Sequence, residues 1–348
     1  MKPNFFDYTL GDLKTFFIEK KEKSFRATQL FKWVYQKQTL SPELMTDLSK
    51  DFRQNILEIL DIELPKVVDH RISVDGTQKF LFDVGDGLTV ETVMIPTDSR
   101  KTLCVSSEVG CNLGCKFCYT GKEKLKKRLS AGQIVGQFIV VQNELKRQGL
   151  TGLSNIVFMG MGEPLDNPKA VFDAISIINE PSGLNFSRKR ITVSTSGLVP
   201  LIPLVTQSKA ILAVSLNGSN DTVRSDVMPI NKKWPISQLL RACQQHIDET
   251  GDDVTFEYVL LKNVTDQTEH AHELSHLVKG MKCKVNLIPF NEHPGSGYYR
   301  PDEDQVRRFQ NILVKNRVQT YVRQTRGHDI FAACGQLNAV NKEHPQYQ

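Results

Sequence analysis

Several features are scarce or missing in this chain. No run of about 18 apolar residues occurs, so no transmembrane helix is expected. The N-terminal stretch MKPNFFDYTLGDLKTFF carries Asp7 and Asp12 and lacks an apolar core segment, which argues against a secretory signal. No internal repeat and no low-complexity segment is evident, which excludes solenoids and propellers. Net charge is small: 44 Lys+Arg against 39 Asp+Glu leave +5, only a hint of an anionic partner. The cysteines number seven, an odd count for a disulfide framework. What is present is ordinary for a globular protein. Hydrophobic residues make up 40% and charged residues 24% of 348 positions, enough to bury a sizeable core. The expected location is the cytoplasm, where thiols stay reduced.

The rhythm of the chain changes twice. Residues 1–66 read as helical, with Leu13, Phe16 and Phe17, then Leu30, Phe31 and Val34, at spacings of three and four. Ser41-Pro42 is the expected N-cap and first residue of a further helix through Leu44, Leu48 and Phe52. Over 67–96 the period becomes two, with turns at Asp75-Gly76 and Asp86-Gly87, as in antiparallel hairpins. From residue 97 to about 330, strand and helix alternate. Strands are expected at Thr102–Ser106, Asn155–Met159, Arg190–Ser194, Ala210–Ser215, Val254–Leu261 and Lys284–Ile288. Helices are expected near 131–147, 168–180, 199–207, 236–250, 268–279 and 302–316. Six such units predict an α/β fold whose mainly parallel sheet is closed or nearly closed into a barrel, with an open doubly wound sheet as the alternative.

The chemistry concentrates behind the first of these strands, in Cys111-Asn-Leu-Gly-Cys115-Lys-Phe-Cys118. Three thiolates so close together, on a loop containing Gly114, can converge on one metal centre. Structural zinc takes four protein ligands, and the next histidine after Cys118 is His246. An iron–sulfur cubane held by three cysteines keeps one iron open. Later strand ends carry further polar groups: Met159-Gly-Met-Gly162-Glu163-Pro164, Ser194-Thr-Ser-Gly197, Ser215-Leu216-Asn217 and Ile288-Pro-Phe-Asn291. In a barrel this rim assembles active sites. Glu163 can accept hydrogen bonds from an ammonium group, and glycine lets backbone approach a ligand closely. Read without reference to any family, Cys104 could equally be a small buried hydrophobe, and Glu91 a solvated residue on the open face of a strand. Cys243 and Cys283 read as packing residues. His270 and His272 would point about 200° apart on a helix, so they are not expected to chelate one ion.

Cys104-Val-Ser-Ser-Glu-Val-Gly-Cys111, Met159-Gly-Met-Gly-Glu-Pro164, Met228-Pro-Ile-Asn231, Asn286-Leu-Ile-Pro289 and Ala333-Cys334-Gly-Gln336 together resemble the RlmN/Cfr family of radical S-adenosylmethionine (SAM) RNA (adenine) methyltransferases, RlmN most of all. The resemblance spans most of the chain. It implies a partial (β/α)6 radical SAM barrel over 97–330, a helical RNA-binding accessory domain over 1–66, a β-hairpin extension over 67–96, and a C-terminal loop and tail over 331–348. It assigns Cys111, Cys115 and Cys118 to a 4Fe-4S cluster, and Gly162, Glu163, Ser194, Ser215, Leu216, Asn217 and Asn291 to SAM. It makes Cys334 the methyl carrier, Cys104 the resolving thiol and Glu91 the base that removes the ring proton. In that scheme one SAM methylates Cys334. A second yields a radical that takes hydrogen from the methyl group, and the carbon radical adds to adenine. Attack of Cys104 on Cys334 then releases methylated RNA and leaves a disulfide. Two positions depart from the family pattern: Tyr119 follows the last cluster cysteine, where a small residue is commoner, and Asn217 stands where many members carry histidine.

The implied substrate is C2 of adenosine in 23S rRNA and in tRNA next to the anticodon. The alternatives are C8 methylation of the Cfr kind and, in another class, a metal-stabilised RNA-binding protein without catalysis. The adenosine must be unstacked to reach Cys334. Lys122–Arg128 nets +4 and Ser187–Arg190 nets +3, and the first lies beside the cysteine motif, where a phosphate backbone would pass. An electron donor such as flavodoxin or ferredoxin is implied, with no membrane and a monomeric state.

Overall fold

The computed structural model describes residues 2–338; residues 339–348, the end of the expected C-terminal tail, lie outside the described residues. The N-terminal region forms α1 (Leu10–Glu19), α2 (Phe25–Phe31) and α3 (Lys50–Ile59). Thr9 and Ser49 cap α1 and α3, their hydroxyls accepting the N–H groups of Asp12 and Phe52. The helix expected from Ser41 does not form. Pro42–Leu44 make a single 3-10 turn, and Ser41 makes no capping bond, whereas Ser49 does. Proline there sets one turn but cannot supply the oxygen that satisfies an orphan N–H.

Three antiparallel strands follow, β1 (Lys66–Ile72), β2 (Gln78–Asp83) and β3 (Thr89–Pro96). β3 then pairs antiparallel with β4 (Lys101–Cys104), setting Val93 opposite Cys104. A small hairpin, β5 (Glu108–Val109) with β6 (Lys127–Arg128), brackets the cysteine loop. The remaining elements run α4 (Ala131–Arg147), β7 (Asn155–Phe158), α5 (Pro168–Asn179), β8 (Ile191–Thr195), α6 (Ile202–Ser208), β9 (Ile211–Ser215), α7 (Asp221–Val227), α8 (Ile236–Thr250), β10 (Val254–Leu260), α9 (Thr268–Leu277), β11 (Cys283–Pro289), α10 (Glu303–Lys315) and β12 (Thr320–Val322). β8 begins one residue later than expected because Arg188–Arg190 form a 3-10 turn.

One ten-stranded sheet runs β1-β2-β3-β4-β7-β8-β9-β10-β11-β12, parallel from β4 onward. Its order follows the chain and never reverses. A doubly wound sheet needs a reversal to place helices on both faces. Right-handed crossovers without one put the helices on a single side, so the sheet wraps as an open-ended barrel. β12 is a seventh parallel strand that sequence periodicity misses, since three residues carry no period.

The N-terminal region is pinned to this barrel at α4. Asp7 Oδ1 accepts the Gly132 N–H at 2.7 Å, satisfying one of the unpaired donors in the first helical turn. One turn on, a Cβ at Gly136 would come within 2.2 Å of Pro65, so only glycine lets the two segments touch. Among the described residues no helix is long and apolar enough to cross a membrane.

Candidate active site

The C-terminal ends of β7 to β11 surround a cavity of about 170 Å³. Cys111, Cys115 and Cys118 face it from the loop after β4. Burial pushes all three thiols up, Cys111 to about 12, so in the protein alone they are held protonated. Among the described residues no three His, Cys, Asp or Glu side chains converge tightly enough for a single ion. Three thiols spread along one cavity wall suit the wider footprint of an iron–sulfur cluster, which also supplies the positive charge that makes them thiolates.

Opposite the cysteines, the turn after β7 presents Glu163. Its Oε2 accepts the Ser196 N–H at 2.8 Å and the Ser196 hydroxyl at 2.6 Å, and its Oε1 accepts the Leu165 N–H at 3.2 Å. Burial pushes its pKa up, while these donors, with the Thr195 hydroxyl, pull it down. All of them are neutral, so among the described residues the buried carboxylate has no countercharge in contact. The turn is held from below by Glu108, whose Oε2 accepts the Glu163 N–H at 2.9 Å. Gly162 lies over that support at φ +95°, and a Cβ there would sit 2.5 Å from Glu108 Cβ. Burial raises the Glu108 carboxyl to about 7.

Ser194, Ser215, Asn217 and Asn291 line the same cavity. Leu216 does not: its side chain is fully buried in the core, and its N–H donates to the Glu257 carbonyl. The Asn217 amide is already engaged, its Oδ1 accepting the Val259 N–H at 2.8 Å and its Nδ2 donating to Met228 Sδ. Its φ of +51° is one that asparagine tolerates well. Beneath these strand ends lies Arg224, fully buried, which donates to the carbonyls of Ser196, Ser215 and Leu216 and to Asn231 Oδ1. It ties β8, β9 and the Met228–Asn231 segment into one frame. Tyr119, the unusual neighbour of the last cysteine, packs edge-on against His293, while its N–H donates to the Gly335 carbonyl.

A smaller cavity of about 60 Å³ adjoins the first and shares Met159, Ile288, Asn291, Arg323 and Cys334 with it. Cys104, at the end of β4, faces only this second space, and Cys334 opens onto both. The two thiols are thus brought together although 230 residues separate them. Burial pushes the Cys104 thiol up, whereas Cys334 is exposed. The Cys334 carbonyl accepts from Asn291 Nδ2 at 3.2 Å, and the chain on either side is anchored by Phe331 O to Lys79 Nζ and by Leu337 O to the Thr120 hydroxyl.

Glu91 lines neither cavity. It is 1% exposed and forms an ion pair with Lys79, itself 5% exposed, at 2.8 Å. Its Oε2 also accepts the Asn338 N–H at 2.9 Å, so the segment after Cys334 lies over it. The expectation of a solvated strand face at this position is corrected: the antiparallel extension is covered from outside by the C-terminal segment. The basic run after the cysteines is also partly spent within the protein. Lys127 pairs with Asp86, Arg128 with Asp166, and Lys122 donates to the Gly295 carbonyl, while Lys124 and Lys126 are exposed. Sequence patterns did not single out Arg224, Glu257, Lys79 or Arg323; Arg224 and Glu257 lie on regular elements whose polar positions read as outward-facing.

Residues 3–62 match the family model of the ribosomal RNA large subunit methyltransferase N-terminal domain, and residues 105–274 match the radical SAM superfamily. Over 343 residues the chain is 57% identical to the dual-specificity RNA methyltransferase RlmN of Bdellovibrio bacteriovorus, covering 99% of this chain and 85% of that one. It is 45% identical over 344 residues to the protein of the same description from a Marinomonas species, covering 97% and 93%. A radical SAM methyltransferase from Sphaerobacter thermophilus superposes with a TM-score of 0.91 at 40% identity, over 97% of this chain and all of that one.

Proposed function

The chain belongs to the RlmN family of radical SAM RNA methyltransferases, and from that premise we propose that it methylates C2 of adenosine in both 23S rRNA and tRNA. The likeness to RlmN carries the choice of C2, and the pair Cys104 and Cys334, on a cavity adjoining the one the three cluster cysteines face, supports the methyl transfer itself. A ring carbon of adenine is electron-poor, so ordinary polar methyl transfer is unfavourable there. A 4Fe-4S cluster with SAM supplies the one-electron chemistry such a carbon demands.

The chain's own residues then divide the work. Cys111, Cys115 and Cys118 would hold the cluster, leaving one iron for SAM. Glu163, buried among neutral donors, is fitted to take the charge of the SAM ammonium. Ser194, Ser215 and Asn291 would border the same ligand, and Gly162 brings the backbone close to it. Asn217 would border the ligand with its amide already committed, whereas Leu216, its side chain buried and its N–H and carbonyl both bonded within the protein, would act only by holding Asn217 in place. Cys334 would carry the methyl group, Cys104 would resolve the adduct by attack on the Cys334 sulfur, and Glu91 would accept the ring proton once the C-terminal segment lifts from it. Two SAM molecules serve each turnover, one to load Cys334 and one for the radical step. The disulfide left behind calls for a reducing compartment, hence the cytoplasm, and the cluster for a donor such as flavodoxin or ferredoxin. Residues 1–66 would help hold RNA. Mass spectrometry of nucleosides from treated rRNA and tRNA tests the proposal: 2-methyladenosine is expected, and 8-methyladenosine or unmodified adenosine alone would overturn it.

A further inference from the structure

One charged group on the wall of the second cavity has no task in the scheme above. Arg323 follows β12 and lines both cavities. Its backbone N–H donates to the Leu287 carbonyl at 2.8 Å, which fixes the strand end. Among the described residues no hydrogen bond or ion pair engages its guanidinium. Arg323 is exposed to solvent as well as to the two cavities; a guanidinium has five donors and remains charged at any working pH, so one that borders a cavity without a fixed partner can serve a charge that arises there.

The groups whose charges couple to it are Cys104, Cys334 and the buried Glu257, whose Oε1 accepts from Asn286 Nδ2 at 2.9 Å. Cys104 itself sits among few charges. Burial and Cys334 disfavour its thiolate; the Met159 N–H, donated to the sulfur, and Arg323 favour it. Arg326 is the other cation on this wall and is not among the charges acting on Cys104.

We propose that Arg323 is the cation that stabilises the thiolate of Cys104 for its attack on Cys334, an inference that rests on the function proposed above. The step balances as follows. Cys104 gives its proton to solvent, and its sulfur lone pair forms the S–S bond. The bond between the Cys334 sulfur and the methylene on the adenine ring breaks, and its electron pair leaves with the carbon. That carbon takes a proton from water and becomes the methyl group. The disulfide is reduced by an external dithiol before the next turnover. Without that cation the Cys104 thiolate would have only the Met159 N–H to offset its burial.

Single turnovers followed on denaturing gels read the covalent protein–RNA adduct and its decay. In Arg323→Gln the adduct should accumulate and decay roughly ten- to a thousand-fold more slowly near pH 7.5, the span of a one- to three-unit rise in a thiol pKa. Burial holds the Cys104 thiol above this pH in both proteins, so adduct decay in each should quicken with rising pH as more thiolate forms. Arg323→Lys, which keeps the charge, should decay within about threefold of the parent; it decides the matter even where the glutamine variant does not fold. Fluorescence anisotropy with the same RNA measures binding separately. Adduct decay at the parental rate, decay that does not quicken as the pH rises, a lysine variant as slow as glutamine, or a loss explained wholly by weaker RNA binding would each overturn the proposal. If Cys104→Ala traps no RNA, the function proposed above falls instead, and this inference with it.

Discussion

Glu163 and Glu91 are both carboxylates buried in one barrel, and the two walls that carry them treat them in opposite ways. Glu163 is surrounded by hydroxyl and N–H donors and has no cation in contact, so a cation brought by a ligand completes it. Glu91 already has its cation in Lys79 and is sealed by the Asn338 N–H. The cofactor wall is therefore built in advance, framed by Arg224 and Glu108, whereas the wall bearing Cys334 is closed by contacts that have to open. A buried charge lacking a partner is costly, and a buried pair loses heavily when one member is removed. The difference teaches which side waits for a ligand and which side waits for a movement.

The comparison breaks most completely at the two cysteines of the closed wall. Cys334→Ala should abolish both methylation and covalent trapping of RNA, whereas Cys104→Ala should leave RNA attached to the protein; a denaturing gel separates these outcomes. Trapping by the Cys334 variant would show that the carrier is assigned to the wrong residue. Next in size is Lys79→Met, which strands the Glu91 charge inside the protein. We expect a loss of about 3–5 kcal/mol in thermal or denaturant unfolding, and a Lys79→Met/Glu91→Leu double variant should recover most of it. Equal stability of Lys79→Met and the parent would remove the closed wall from the comparison.

On the open wall, Glu163→Gln keeps the size of the side chain and loses the charge. SAM affinity measured by calorimetry should fall by about 1.5–3 kcal/mol, the range for a hydrogen bond to a charged group, with little change in melting temperature. A large stability loss without a change in SAM affinity would mean that Glu163 serves the fold alone. A pH-dependent effect concerns Glu108. Its folded carboxyl titrates near 7 instead of 4.5, so the folded state binds a proton more tightly than the unfolded chain. Its contribution therefore destabilises progressively as the pH rises from about 4.5 to about 7 and is absent below that window. Glu108→Gln should flatten the melting temperature across that interval; an unchanged slope would show that other groups set it.

How much of this could be read from the chain depends on the kind of signal. The cysteine loop, the Gly162-Glu163 turn and the strand–helix rhythm depend on spacing within short segments, and such local patterns survive into the structure almost residue for residue. Glu91 depends on what covers it. Its strand alternates as a half-exposed strand should, and the covering residue, Asn338, is 247 positions away. Glu257 was passed over for the reverse reason. A polar residue in an alternating strand reads as outward, but in a sheet wrapped into a barrel, with its helices on the outer face, it can instead point into the enclosed cavity. Arg323 follows a strand too short to have a period. At Ser41-Pro42 the local signal was real, yet the oxygen that starts the helix belongs to Ser49.

The anchors on either side of Cys334 set a length. Asp329 is bound by the Ser73 hydroxyl and the Val74 N–H, and Leu337 by the Thr120 hydroxyl, so the thiol rides on a strap fastened at both ends. Three residues from the nearer anchor, it can travel no further than roughly 10 Å even with that arm pulled straight. A sulfur confined to so small a sphere meets the Cys104 nucleophile at an effective concentration on the order of millimolar or higher. Soluble thiols are thereby poor rivals for the bond between Cys104 and Cys334 until the strap has delivered its cargo, and they regain access only when the pair is already joined.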